Sequence, residues 1–317
     1  MKAIVLKENG GIENLHLTEI EKPEIRPEEV LIQVKAIAVN PVDAFVRQHN
    51  FALRAFLQPK ENEPVIPGWD ISGIVVQIGE KVDGFQIGDE VFGMVNFAGH
   101  GKAYAEYAAA PASHLALKPQ NITHEEAAAS CLAALTAWQS LKTHAKVKKG
   151  NKVLIHAAAG GVGHYAVQMA KHLGAYVLGT ASSSNLDFVI SLGADEFIDY
   201  TVEKFEDKVK DADIVLEALY GDHILRSLEA VKNGGTIISL LNMLNEESVL
   251  EKIHKKYVFA YKMIVNSNGN DMKEIAGLLA DGIIKPYISH FYTFEDIPKA
   301  HTQIETGKTK GKIVITI

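Results

Sequence analysis

The residues best suited to chemistry lie at 156–163, where the chain reads His156-Ala-Ala-Ala-Gly160-Gly161-Val162-Gly163. They fall between a strand-like run at 152–157 and a helix-like run from Val162 to 173. Read as G-x-G-x-x-G, the first place holds Ala158, and Gly160 and Gly163 fill the other two. A glycine at 160 lets backbone approach a pyrophosphate; one at 163 lets the helix pack close to the strand. The helix start offers unpaired N–H groups and the positive end of its dipole, which suits phosphate oxygens. The pattern alone is weak, but between a strand and a helix it points to a dinucleotide. The alternative is a tight turn with no ligand.

The end of the next strand bears on which dinucleotide. Enzymes that use NAD place an acid there, about 20 residues on, against the adenosine ribose. Here the chain reads Thr180-Ala-Ser182-Ser183-Ser184-Asn185, with no acid. A carboxylate would repel a 2′-phosphate, whereas hydroxyls and an amide can donate to it, so NADPH is the expected cofactor. Ser182 and Ser183 could equally cap a helix. No lysine or arginine stands there to strengthen the hold on the phosphate.

Other chemistries are limited by composition. The 317 residues include one cysteine, Cys131, which excludes an internal disulfide and any Cys-rich zinc site. The 13 histidines form no spaced pair of the zinc-helix kind, and His100, His114 and His124 read as isolated loop or surface residues. No metal is expected. Cys131 is either a reactive thiol or a small buried hydrophobe. A net charge of −7 carries no basic footprint for nucleic acid. No apolar run approaches the ~20 residues that span a bilayer. With one thiol and no export signal read at the start, a reducing cytoplasm is expected.

Two textures must position these residues. The first third has short apolar runs at 2–7, 30–39, 71–78, 90–95 and 103–110, punctuated by Gly, Pro and Asp, which predicts an all-β barrel-like unit. From Thr123-His-Glu-Glu126, a capping-box pattern, an Ala-rich helix is predicted over 125–143. Strands at 152–157, 176–180, 214–218 and 236–241 then alternate with helices at 162–173, 185–192 and 222–231, each followed by glycine. This rhythm implies a doubly wound parallel sheet. A strand at 288–294, a helix at 295–305 and an edge strand at 312–317 return to the first texture.

The whole chain resembles the medium-chain dehydrogenase/reductase superfamily, in its zinc-free quinone oxidoreductase branch. The resemblance rests on Asn40-Pro-Val-Asp43, Pro67-Gly68-Trp69-Asp70, Gly79 to Val91, Tyr104-Ala-Glu-Tyr107, Leu135-Thr136-Ala-Trp138, Ala158 to Gly163, Leu192-Gly-Ala-Asp195, Ile198-Asp-Tyr200 and Gly311-Lys312. It implies an α/β protein: a GroES-like catalytic domain at 1–122, completed by 287–317, and a Rossmann NADPH-binding domain at 123–286. It implies a cleft for NADPH, hydride transfer to a quinone or activated alkene, and a homodimer. Zinc-dependent relatives carry metal ligands where this chain has Asn40-Pro-Val-Asp43 and Trp69.

By resemblance, Asn40 and Thr136 are the catalytic candidates, placed beside the cofactor's nicotinamide end. Gly160, Gly161, Val162, Gly163, Ser182, Ser183, Tyr200, Leu240, Val265 and Asn266 are expected to contact the cofactor. Lys312 could reach the phosphates or be solvated. Phe45 and Phe51 stand where some quinone reductases carry tyrosines, and their faces could wall an apolar pocket. Asp43 could relay a proton or cap a turn; solvent is the expected proton source. Two alternatives stay open: an enoyl-thioester reductase, against which Phe45 argues, and an NADPH-binding structural or interaction module with little turnover.

Overall fold

The computed structural model describes residues 1–61 and 63–317. It divides into two units: Met1–Leu135 with Val265–Ile317, and Thr136–Ile264. In the first, β1 (Lys2–Leu6) pairs antiparallel with β2 (Leu15–Glu19). There follow β3 (Glu29–Val39), β4 (Asp70–Ile78), β5 (Glu90–Met94), β6 (Tyr107–Pro111) and β7 (Leu115–Leu117). The second unit holds β8 (Lys152–Ile155), β9 (Tyr176–Ala181), β10 (Glu196–Asp199), β11 (Ala212–Glu217), β12 (Val231–Ser239) and β13 (Phe259–Lys262). The chain then returns with β14 (Ile288–Thr293) and β15 (Lys312–Thr316).

The larger sheet of the first unit runs β14-β15-β3-β4-β5-β7, with β6 also paired to β3. Residues 312–317 were expected at an edge, but β15 lies between β14 and β3. Ile313, Val314 and Ile315 are all buried, so both faces of this strand are covered. The core gathers Ile4, Val34, Ile71, Val91 and Tyr104 from five segments distant in the chain.

The second unit is a six-stranded parallel sheet, order β10-β9-β8-β11-β12-β13. Its central strands are near-continuous apolar runs, as burial on both faces requires. β12 begins earlier than Thr236: Val231 pairs with Ala212 before an irregular stretch in which Gly234 takes φ 70°.

The unit boundaries differ from 123 and 286. Helix His124–Ala129 packs Ala128 and Ala129 on Ala36, Ala38 and Val314, where small side chains allow close approach. Helix Gly269–Ala280 begins against the carbonyls of Ser113 and Leu115, 2.7 and 2.8 Å from where a Cβ on Gly269 would lie. Both helices therefore belong to the first unit. The Ala-rich stretch is also not one helix. Thr123 and Glu126 do form the capping box. The helix then breaks, because Ser130 Oγ donates back to Glu126 O at 2.8 Å and Leu132 N–H, opening helix Leu132–Trp138, donates to Asp70 Oδ1 at 2.9 Å. Among the described residues no helix is long and apolar enough to cross a membrane.

Candidate functional site

In the parallel unit, β8 leads through the glycine loop into helix Gly161–His172. Gly160 is its N-cap, and no side chain caps it, so the first N–H groups of the helix face outward as donors. The loop is tight. Ala157 takes φ 50°, and a Cβ on Gly163 would lie 2.1 Å from Ala157 O and 2.8 Å from Ala158 Cα. On Gly160 a Cβ would be 3.2 Å from Ala157 O. This is a cradle that side chains would fill, and it fits a pyrophosphate.

The other expected residues of this unit gather at the same edge, because parallel strands end together. Ser182 caps a short turn after β9, its Oγ 3.2 Å from Ser184 Oγ and accepting from Asn185 Nδ2 at 3.1 Å. Ser183 is exposed. Tyr200, 57% exposed, follows β10. Leu240 follows β12, and its N–H donates to Glu217 O at 2.8 Å. One acid enters here that the segment 180–185 does not contain. Asp199 is paired in register with Ala181, and its carboxylate accepts from Thr201 N–H and Oγ1 at 2.9 and 2.7 Å. Those bonds, with Ser183 adding to them, hold it below the ordinary carboxylate range.

Thr136 is buried on helix Leu132–Trp138. Val265 is buried and Asn266 exposed, and both belong to the first unit, not to the parallel one.

In the first unit, Asn40 caps helix Pro41–Gln48, with proline at the first position. Its side chain turns inward and is 1% exposed. Asn40 Nδ2 donates to Asp70 Oδ2 at 2.9 Å, and Asn40 Oδ1 accepts from Lys312 Nζ. Lys312 Nζ also donates to Val39 O at 3.3 Å and sits 3.9 Å from Asp70 Oδ2. The expectation of a solvated or phosphate-reaching Lys312 is therefore corrected: it is a buried ion, 3% exposed. Asn40 is likewise an inward-facing anchor of this network.

Burial dominates the titration of the cluster. It raises Asp43 to about 8 and Asp70 to about 6, against the lowering effects of hydrogen bonds and Lys312. It lowers Lys312 despite both carboxylates. Asp43 Oδ2 accepts from Asn40 N–H at 2.6 Å, so Asp43 acts as the cap of its helix. Tyr104 OH lies 3.0 Å from His301 Nε2, and Arg47 Nε donates to His301 Nδ1 at 3.3 Å. Cys131 is wholly buried, with its thiol pushed well up by burial and Sγ 3.4 Å from Ala127 O. It is the small buried hydrophobe and not a reactive thiol. Phe45 and Phe51 meet edge to face, centroids 5.5 Å apart, and Phe51 is 67% exposed. All three histidines read as isolated have partners: His100 contacts Glu63 and Ile66, His114 Nδ1 accepts from Asn96 N–H at 3.2 Å, and His124 lies 2.8 Å from Ser72 Oγ.

Comparison with known proteins agrees with this geometry. Residues 26–120 match the family model "Alcohol dehydrogenase GroES-like domain", and residues 192–315 match "Zinc-binding dehydrogenase". The chain is 34% identical to the 2-methylene-furan-3-one reductase of Solanum lycopersicum, over 99% of this chain and 79% of the relative. It is 34% identical to the chloroplastic NADPH-dependent alkenal/one oxidoreductase of Arabidopsis thaliana, with the same coverage. The solved quinone oxidoreductase of Coxiella burnetii superposes with a TM-score of 0.91 at 33% identity, covering 100% of this chain and 99% of that one. The chain belongs to the medium-chain dehydrogenase/reductase superfamily, in its quinone oxidoreductase branch.

Trp69 is fully buried, its Nε1 donating to Gly99 O at 2.7 Å. Asp70 and Lys312 were not singled out as partners of Asn40 from sequence. The signal was faint: a lysine at the start of an apolar strand, whose partners lie hundreds of positions away.

Proposed function

We propose that the chain is a zinc-independent, NADPH-dependent reductase of quinones and α,β-unsaturated carbonyls. The observation that carries this reading is the buried Asn40–Asp70–Lys312 network, an amide and an ion pair where zinc-dependent relatives hold their metal. Without a Lewis acid there, alcohol oxidation lacks its activator, whereas an electrophilic acceptor needs none. The cradle at Gly160, Gly161, Val162 and Gly163 would hold the pyrophosphate of NADPH, with Ser182, Ser183 and Tyr200 near the adenosine. When bound, NADPH supplies hydride from its nicotinamide. The relatives' names, a furanone reductase and an alkenal/one oxidoreductase, support the substrate class.

Phe45 and Phe51 present aromatic faces suited to a planar acceptor, and neither has a hydroxyl to donate a proton. Solvent is the proton source in this reading. Thr136 and Asn40 stay the candidates for positioning the nicotinamide, Asn40 through its network. A homodimer belongs to the same reading: β13 is the outer strand of its sheet and exposes Phe259, an edge that a second copy could pair. A cytoplasmic location is supported by the single cysteine.

The test is NADPH oxidation with a panel of quinones, enones and enoyl thioesters, beside alcohol oxidation with NADP. Turnover with quinones or enones and none with alcohols is expected. Activity confined to enoyl thioesters would favour that alternative. NADPH binding without oxidation by any acceptor would point to a binding module.

A further inference from the structure

The parallel unit holds a second buried polar cluster, at the C-terminal ends of its two central strands. His156 follows β8, Glu217 ends β11, and His223 opens helix His223–Ala230. The His156 and Glu217 side chains are wholly buried; that of His223 is 13% exposed. His156 Nε2 lies 3.9 Å from Glu217 Oε2, and His223 Nδ1 lies 2.8 Å from that oxygen. One ligand atom from each residue lies within 4.8 Å of the other two, the one such group of three among the described residues. Ser227 Oγ sits 3.1 Å from His156 Nε2 and donates to Glu217 Oε2.

We propose that His156, Glu217 and His223 form a binding site for a divalent cation of the zinc class, with Ser227 or a water as fourth ligand. Two imidazoles and one carboxylate are a common zinc ligand set. Ligands about 2.0–2.2 Å from a tetrahedral ion stand about 3.3 Å apart. The observed 2.8 and 3.9 Å bracket that value, and the separation between the two histidine ligand atoms is within 4.8 Å. The ion would take the place of the protons that Ser227 and His223 now share with Glu217.

The atoms facing away are already held as outer partners of metal ligands are. His156 Nδ1 lies 3.0 Å from Thr180 Oγ1, and Glu217 Oε1 accepts from Leu219 N–H at 2.9 Å. The Phe205 ring meets His156 edge-on at 4.5 Å and stacks on His223 at 4.9 Å, closing the cluster with an apolar wall. Because His156 directly precedes Ala157, a cation here would pin the glycine loop to β11. Its role is structural and independent of the proposed hydride chemistry.

The test uses metal-stripped full-length protein titrated with Zn²⁺ or Co²⁺ alone. Retained metal is read by elemental analysis after gel filtration, and Co²⁺ geometry by its visible d–d absorption. Expected are one retained equivalent per chain, a four-coordinate Co²⁺ band, and a higher Tm with metal. His223→Ala removes the most accessible ligand, with least risk to folding, and should weaken binding by at least about tenfold and abolish the band. Thr180→Val should weaken it about 10–100-fold by freeing the His156 ring. Wild type retaining no more metal than His223→Ala, or the same band in both, would overturn the site and leave a cluster held by protons alone.

Discussion

The Asn40 side-chain amide donates to Asp70 Oδ2 at 2.9 Å, joining the end of β3 to the start of β4 inside the core of the first unit. Lys312, from the last strand, closes the arrangement on Asn40 Oδ1. One buried cation thus serves an amide and a carboxylate, while Asp70 Oδ1 also holds the first turn of the helix that carries Thr136.

Removing that cation should be costly. Lys312→Met leaves Asp70 buried without its counter-charge, a loss of about 3–5 kcal/mol for breaking a buried pair. Urea denaturation should show this. Adding Asp70→Asn should restore part of the loss, since the two residues share one interaction. Additive losses would show that the pair is uncoupled.

The pH dependence has a definite sign. Burial raises Asp43 from 3.8 to about 8, so the folded chain keeps a proton that the unfolded chain releases. Its stabilising contribution is complete below the unfolded value and is lost as pH rises toward the folded one. Asp43→Asn removes this dependence and keeps an acceptor for Asn40 N–H. Wild type should therefore lose stability relative to the variant between about pH 4 and pH 8. Parallel curves would refute the assignment.

Two glycines should behave in opposite ways. Gly163→Ala places a Cβ 2.1 Å from Ala157 O. It should destabilise by about 1–3 kcal/mol and weaken NADPH binding about tenfold or more, a loss of about 1.4 kcal/mol or more, read by equilibrium fluorescence titration. Gly277→Ala, inside helix Gly269–Ala280 with nothing within 4 Å of the new Cβ, should instead gain about 0.5–1 kcal/mol. Equal effects at the two sites would contradict the close approach at Gly163.

Cys131 should be silent toward thiol reagents in the native state. It is fully buried and its thiol is raised well above its ordinary range, so little thiolate is available. A colorimetric thiol titration should give no native signal and one equivalent after denaturation. Rapid native labelling would place the thiol at an open surface.

The glycine loop, the strand–helix alternation and the capping box at Thr123 were all legible in the amino-acid sequence. Each depends on residues a few positions apart, where backbone geometry links spacing directly to conformation. The same locality explains the misreadings. The Ala-rich stretch looked like one helix because the carboxylate that opens its second part, Asp70, lies 62 positions before Leu132. Lys312 looked solvated because a lone lysine carries no sign of a partner 272 positions away. Local spacing was enough to read the two textures, the expected dinucleotide cradle and the superfamily. That Asn40 is an inward anchor, that Cys131 is inert, and that His156, Glu217 and His223 meet came from contacts between distant parts of the chain. Strand pairing brings such distant residues together, and their burial then decides which charges and hydrogen bonds they must share.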